Sequence, residues 1–546
     1  MRWRFFVLGD CSRRSLIRFS AAALVASSSL AGAGLAYASH FRYGHYSWTA
    51  AGGNTVEFVI QNAWRRDGYG CRNPAAILIP VPCSGSGGLP GIGDVIIEFV
   101  GGTLLDPGDG SAPIGSPAGP LAYIVTSIDP VNNWFFGLAL DPASLPAVDT
   151  TIAHTYPAAG TYLARTDSCC RISALFGGNF HANNPDGGYR VETLVSVGTG
   201  NRPPVSALPP IVSCPLNAVC SFLVPGVDPD GDAMRFRLSS PAEASSFGPF
   251  LQPGTLGSGA PNPAGVSAGG LYVWDTTSAT TGPPSANTLY STQVTIEDLD
   301  GSGNPKTKAA LDFLIQLVPA DPNPPVIVPP AGSAPICGTT QVLTVGVQRR
   351  FDVFASDPDA GDQVTLNVVG LSVGAAMTPP LPIAGNPISS TFSWTPALSQ
   401  VGFHVITFTA SSTGGGFALC SVTVEVTPTI AVDIDIKPSS YPNSILVNSG
   451  SNGKIPVAIV STATFDAPSR MDLTSLTFGA TGDEPSLAFC SGSEDVTGDG
   501  RLDVVCHFTT RDTGFTLANT VGTLRGRTVD GIPIEGCDSV RIVGVK

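Results

Sequence analysis

Asp228-Pro229-Asp230-Gly231-Asp232 and Asp357-Pro358-Asp359-Ala360-Gly361-Asp362 are two versions of one acidic turn. Each follows an apolar, strand-like run, residues 221–227 and 351–356. Each precedes an alternating run, 233–238 or 363–368, and later a lone tryptophan, Trp274 or Trp394. Three carboxylates on so short a stretch repel one another unless a cation or solvent compensates them. Hard oxygen donors of this kind suit Ca²⁺. Asp, Pro and Gly also favour plain β-turns. Two readings therefore stand. In one, Asp228, Asp230 and Asp232 form a Ca²⁺ site, with a second from Asp357, Asp359 and Asp362. In the other, both turns are merely solvated. The recurrence in matching contexts marks a repeated module under either reading.

The composition around these turns points to an all-β chain. Its 546 residues exceed one ordinary hydrophobic core and imply several domains. Gly 63 and Pro 48 make up about a fifth of it, and only 13% is charged, which suits turn-rich sheet modules better than helices. Beyond residue 38 there is no sustained 3.6-residue apolar period. Short Val, Ile, Thr and Phe runs between Gly, Pro, Asn and Asp clusters recur instead.

Residues 1–38 read as an export signal. Arg2, Arg4, Arg13, Arg14 and Arg18 supply positive charge, 19–38 is apolar and small, and Ala36-Tyr37-Ala38 is a cleavage site before Ser39. Ser12-Arg13-Arg14-Ser15-Leu16 fits a twin-arginine signal, and general secretion stands equally open. No later stretch is long and apolar enough to span a membrane. Cleavage removes five arginines and one aspartate, taking the formal charge from −14 to −18. So acidic a chain does not suit nucleic acid, whose phosphates need Lys and Arg.

Twelve cysteines include Cys11 in the signal. Export makes disulfides the expectation for the other eleven. Cys337 precedes the first strand of its module and Cys420 lies in its last, so these two should bond. Cys214 and Cys220 should close a short loop. Cys490–Cys506 is favoured in the last module, leaving Cys537 free. Adjacent residues on a strand point to opposite faces, so Cys169 and Cys170 are expected to find separate partners, most simply Cys71 and Cys83.

The mature chain opens Ser39-His40-Phe41-Arg42-Tyr43-Gly44-His45-Tyr46-Ser47-Trp48, a first strand with Gly44 as a bulge or crossover. His40 and His45 fall on opposite faces of such a strand, which disfavours a shared metal ion. With Gly160-Thr161-Tyr162 and Cys169-Cys170-Arg171, this opening resembles a class of secreted modules beginning His-Phe-Arg-x-Gly. The resemblance implies a β-sandwich over 39–199. Asn201-Arg202-Pro203-Pro204 and Asp321-Pro322-Asn323-Pro324-Pro325 read as stiff linkers. They bound modules at 200–320 and 321–428. The Asp-Pro-Asp turns, Phe392-Ser393-Trp394-Thr395-Pro396 and the run from Gly402 to Phe408 resemble cadherin-like and dystroglycan-type immunoglobulin-fold repeats of exported bacterial proteins. That resemblance implies tandem immunoglobulin-like β-sandwich domains. It also implies calcium junctions where turn and linker acids meet, with Asp321 and Asn323 in the linker part. Trp274 and Trp394 read as core anchors.

Residues 429–546 form a fourth module. Asp433-Ile434-Asp435-Ile436-Lys437-Pro438 and Ile534-Glu535-Gly536-Cys537-Asp538-Ser539-Val540 resemble a bacterial C-terminal β-module. Inside it, Asp495, Thr497, Asp499 and Asp503 stand at positions 1, 3, 5 and 9 of a loop with Gly500 at position 6. The Arg501 carbonyl would serve position 7. Cys506 stands where an EF-hand needs its Glu. The loop is thus similar to the short calcium loop of integrin-type repeats, and it is expected to bind Ca²⁺ weakly.

Signatures of catalysis are scarce. His-Glu-x-x-His and a phosphate loop are both absent. Gly-x-Ser-x-Gly occurs at 265–269 and 370–374, but no helical pattern follows either copy, as a nucleophile elbow requires. The sequence therefore reads as a secreted or cell-surface, calcium-binding, non-catalytic adhesion protein whose partner is an unknown protein or glycan. The runner-up is a carbohydrate-recognition or scaffold protein of an exported enzyme system.

Overall fold

The computed structural model describes residues 40–97, 103–115, 119–176, 178–283, 287–327, 337–345, 348–397, 400–447, 453–462, 465–529 and 531–544. The expected signal and its Ala36-Tyr37-Ala38 site lie outside the described residues. Almost every regular element is a strand, and the chain is built of tandem immunoglobulin-like sandwiches. No helix among the described residues is long and apolar enough to cross a membrane.

Two long strands, Asn287–Leu299 and Pro305–Val318, form the central hairpin of the first half. Both are buried on two faces, which suits their Val, Ile, Leu and Thr content. Asp300 closes the turn between them: one of its oxygens accepts from Ser302 N–H at 2.8 Å and Asn304 N–H at 2.9 Å. Pro305–Val318 also pairs with Phe41–Gly52 (Gly44 opposite Asp312), with Gly188–Val197 and with Ile211–Pro215. A single sheet therefore runs through the two stretches read as separate modules at 39–199 and 200–320. One hydrophobic cluster gathers Tyr43 and Phe136 with Trp274, Tyr290 and Phe313.

The physical reason is visible at the first strand, where every residue from Phe41 to Trp48 is buried. A strand covered on both faces needs a second layer, and the following stretch supplies it. Gly44 serves close approach: a Cβ there would lie 2.5 Å from the Val191 side chain. The register shift falls between Phe41 and Tyr43 rather than at Gly44. The stretch read as a stiff linker is packed as well. Asn201, Pro203 and Pro204 are buried, and Asn201 Nδ2 donates to Asp298 Oδ2 at 2.6 Å.

In the third module, Arg349–Ser356 pairs with Ile388–Trp394 on one sheet. Val364–Val369, Gly402–Ser412 and Phe417–Thr427 lie on the other. Trp274 and Trp394 are both core residues, at 0% and 1% exposure. Thr407 Oγ1 donates to the Ala207 carbonyl at 2.6 Å, and Asn367 Nδ2 to the Ile128 carbonyl at 3.1 Å. The third module therefore also touches the first half. The C-terminal module carries two four-stranded sheets around Ile436, Phe478, Phe508 and Leu524.

Cys337–Cys420, Cys214–Cys220 and Cys490–Cys506 are bonded, and Cys537 is free and exposed. The expectation for the first module is corrected: Cys71 bonds Cys83, and Cys169 bonds its neighbour Cys170. The alternation argument fails because the strand Gly160–Cys169 ends at Cys169, so Cys170 lies beyond the pleat.

His45, fully buried, joins three segments. Its Nδ1–H donates to the Ala310 carbonyl at 2.9 Å, and its Nε2 accepts from Ser206 N–H at 3.0 Å. Burial lowers its pKa to about 4, against a smaller opposing effect of the Ala310 carbonyl. His181, held by the Ile172 carbonyl and Ser291 Oγ, is likewise lowered to about 4 by burial, and the Arg171 and Arg42 charges add to this. Between pH 6.5 and 4 the unfolded chain binds protons at these sites and the folded chain does not. Stability is therefore complete above about pH 6.5 and falls as the pH drops toward 4, by on the order of 3 kcal/mol per histidine. Chemical denaturation across this range should show that slope. His45→Gln should flatten it, and an unchanged slope in the variant would refute the assignment.

Candidate metal centres

The first acidic turn follows the strand Val219–Leu223 and precedes Ala233–Leu238. Asp228 Oδ1 accepts from Asp230 N–H and Asp232 N–H, both at 2.9 Å. Gly231, at φ +76°, allows the chain to turn there. Asp228 is 6% exposed, and its Oδ2 has no hydrogen-bond partner among the described residues. Burial raises its pKa, and the nearby Asp298 and Asp230 charges add to the effect. Oxygens of Asp228, Asp232 and Asp298 lie within 4.8 Å of one another. Asp298 comes from the strand Asn287–Leu299 and accepts from Thr307 N–H, Thr307 Oγ1 and Asn201 Nδ2.

Protein cations meet this turn. Arg202 grips Asp230 through its backbone N–H at 2.6 Å and its Nε at 2.9 Å. Lys306 Nζ donates to Asp232 Oδ2. Asp230, expected as a ligand, is thus drawn to Arg202 and stands outside the converging trio.

The second turn repeats the geometry without the cations. Asp357 Oδ1 accepts from Asp359 N–H at 2.8 Å; its Oδ2 is buried and has no hydrogen-bond partner among the described residues. Asn386 Nδ2 staples the turn through the carbonyls of Asp357, Asp359 and Asp362. Oxygens of Asp321, Asp357 and Asp362 converge within 4.8 Å, so the structure brings the linker acid to the turn. Asn323 reaches toward Asp359 at 3.4 Å. Asp321 Oδ2 accepts from Ser412 Oγ at 3.0 Å, and Asp362 Oδ1 from Thr413 Oγ1 at 2.8 Å. Gly414 and Gly416 let the backbone pass close to these acids. A Cβ at Gly414 would lie 2.5 Å from Asp362 Oδ2, and one at Gly416 would lie 2.5 Å from Asp321 Oδ2. Among the described residues, no Lys or Arg pairs with Asp321, Asp357, Asp359 or Asp362, in contrast to the first turn.

The C-terminal loop is arranged differently. Asp495 accepts from the N–H groups of Gly498, Asp499 and Gly500. Asp499 accepts from Arg501 N–H and pairs with the Arg501 guanidinium at 2.8 Å. Asp503, fully buried, accepts from Ser461 N–H at 2.8 Å and Val496 N–H at 3.0 Å. Asp495, Asp499 and Asp503 are not among the converging groups of the described residues. Thr497 and the Arg501 carbonyl, the remaining expected donors, lie on the same exposed turn.

Sequence reasoning missed Asp298, Arg202 and Lys306 as members of the first site. The signal for Asp298 was the cluster of acids at the strand end, in Glu297-Asp298-Leu299-Asp300.

Residues 42–198 match the family model described as integrin beta-like protein A-E, N-terminal. Integrin beta-like protein A of Dictyostelium discoideum is 27% identical over 296 residues, covering 52% of this chain and 12% of that protein. Integrin beta-like protein C of the same organism is 24% identical over 430 residues, covering 69% and 18%. The chain thus spans less than a fifth of the length of these relatives. Among solved structures, Drosophila N-cadherin EC1-4 is similar at 11% identity, over 82% of this chain and 93% of that one, with a TM-score of 0.18. So loose a superposition says nothing of function.

Removing the Asp298 carboxylate would leave the Asn201 amide and both Thr307 donors unmatched in a buried place. Asp298→Ala should therefore cost about 2–4 kcal/mol, measurable by urea unfolding. A cost below that of an ordinary surface substitution would show that the seam does not depend on Asp298.

Proposed function

We propose that this chain is part of an extracellular adhesion-type protein in which Ca²⁺ held by Asp321, Asp357 and Asp362 fixes the seam ahead of the third module. The observation that carries the metal assignment is the buried Asp357 Oδ2, without a hydrogen-bond partner among the described residues, beside two further carboxylates. An uncompensated buried charge is costly, and a divalent cation is the natural complement for three converging carboxylates. Bound there, Ca²⁺ would neutralise the turn and tie the linker acid to it.

The adhesion reading is supported by the match of 42–198 to the N-terminal model of integrin beta-like proteins and by the tandem sandwich build. An acidic, cysteine-bonded chain fits an extracellular setting, with a protein or glycan on a cell surface or matrix as partner and no nucleic acid. The role is binding rather than catalysis. The C-terminal loop around Asp495, Asp499 and Asp503 is a second, weaker candidate, since its oxygens are already engaged by backbone amides and by Arg501.

Calcium added to the chelator-treated chain should raise its melting temperature, and magnesium should do so much less. A ligand at a hundredfold excess over Kd stabilises the folded form by about 2.7 kcal/mol. Asp357→Asn should abolish most of the response and Gly414→Ala should blunt it, while Asp499→Ala should leave most of it. Beads coated with the chain should aggregate or bind cells with calcium and disperse with chelator. A melting curve unmoved by calcium would remove the metal assignment, and calcium-independent bead behaviour would separate adhesion from it.

A further inference from the structure

Arg42 is the extra residue of the first strand. Phe41 lies opposite Trp64 and Tyr43 opposite Ala63, so Arg42 falls in the register shift between them. Bulges of this kind re-aim a side chain. The Arg42 side chain is 1% exposed, one of the largest fully buried in the chain. Its Nη1 donates at 2.6 Å to the carbonyl of Asn132, in the turn that joins the strands Ala122–Asp129 and Trp134–Ala139. Its Nε and Nη2 have no hydrogen-bond partner among the described residues. These two groups share one edge of the guanidinium, so their N–H bonds point the same way and form an open fork.

Among the described residues no carboxylate pairs with Arg42, and the two nearest acids are engaged elsewhere. Asp67 meets Arg65 Nε at 2.5 Å. Asp129 accepts from the N–H groups of Val131 and Asn132 and from Asn132 Nδ2, all within its own turn. Burial lowers the Arg42 pKa to about 9, and the Arg65 charge adds to this, while the Asp129 and Asp67 charges oppose it. At neutral pH the guanidinium therefore keeps its proton. A buried charge with two idle donors is a costly state. Water in the fork would accept the two hydrogen bonds and leave the charge unanswered. An anion answers both, through charge-assisted bonds roughly twice as strong as neutral ones.

Burial sets the size of that anion. At 1% exposure the guanidinium is out of reach of a carboxylate on a macromolecular partner. The covering turn is nonetheless close to solvent: Val131 at its tip is 79% exposed, and Asn132 and Asn133 are half-buried. A single-atom ion can enter by a small movement of this turn. We propose that a small monovalent anion, chloride in an extracellular medium, sits in the fork formed by Nε and Nη2 of Arg42 and fastens the bulge of the first strand beneath the turn 129–133. This gives a ligand to the arginine of the His-Phe-Arg-x-Gly opening. It goes beyond the adhesion reading, involves none of the acidic turns, and its failure leaves the calcium assignment untouched.

Bromide, close to chloride in size and visible by anomalous scattering, is the direct probe. Crystals of the chain grown in bromide should show an anomalous peak against Nε and Nη2 of Arg42. In solution with chelator present, the chain should broaden the chloride NMR resonance. Its melting temperature should be higher in chloride than in gluconate at equal ionic strength, because a ligand of the folded form stabilises it. Arg42→Met, which keeps an unbranched side chain and removes the charge, should lose both solution responses. Arg511→Met, at an arginine 64% exposed in the C-terminal module, should keep them. The proposal is overturned if the fork holds only water in bromide crystals, or if Arg42→Met responds to chloride like the parent chain. A bromide peak without any chloride response in solution marks an adventitious ion only and equally overturns it. Should Arg42→Met fail to fold, the bromide peak and the chloride response of the parent chain decide.

Discussion

The first half of the molecule depends on one buried ion pair. Arg171 and Asp312 are 1% and 0% exposed and meet in a two-pronged contact, Nη1 to Oδ1 at 2.7 Å and Nη2 to Oδ2 at 2.5 Å. Gln293 Nε2 adds a donor to Asp312 at 2.8 Å, and the Ala244 carbonyl accepts from Arg171. Burial still raises the Asp312 pKa, against the pull of Arg171. Taking both charges out of water is costly, and the pair is tolerated only because its geometry and extra hydrogen bonds answer most of the exposed valence. Breaking it would leave one buried charge alone, the costly case. The pair thus imposes a condition: Arg171, just past the strand Gly160–Cys169 of the first module, must reach the middle of the strand Pro305–Val318.

That condition explains why the first two stretches share a sheet. Asp312 lies opposite Gly44, the residue whose missing side chain lets Val191 approach. One residue along, His45 faces Leu311 in register and bonds to Ala310 and Ser206. Asp312 and His45 on buried strands, with Arg171 just beyond a strand end, therefore fix register across the seam where apolar packing alone would tolerate a slip. They select one pairing by what a shifted pairing would leave unsatisfied.

Much of the fold was legible in the sequence because it follows from local patterns. The alternation of 233–238 and 363–368 became strands, Trp274 and Trp394 became core anchors, and three disulfides fell where first and last strands, or short loops, demanded them. The acidic turns were legible as turns because Asp228 and Asp357 accept from their own downstream amides. What escaped was set by partners far away in sequence. The convergence of Asp298 with Asp228 needs a strand some seventy residues on. The burial of 201–204 needs the sheet beneath it. The bonding of Cys169 to Cys170 depended on where a strand stops, a boundary that pattern reading places poorly.

Three acidic loops with nearly the same signature meet their charge in three ways, and this decides what each can do. At Asp499 the compensating cation is two residues away, in Arg501, and the oxygens of Asp495 and Asp503 accept from loop amides and from Ser461 N–H. At Asp230 and Asp232 it comes from Arg202 and Lys306 on neighbouring segments, while Asp228 and Asp298 are met by amide and hydroxyl donors alone. At Asp357 no Lys or Arg among the described residues does the same, and the glycines at 414 and 416 let the backbone approach the acids closely. A carboxylate cluster attracts a free cation only as far as the protein has not already supplied one, since the gain from binding is the charge still uncompensated less the cost of stripping the ion of water. The order of expected affinity for Ca²⁺ among the three loops therefore follows the positions of their arginines and lysines more than the count of their aspartates.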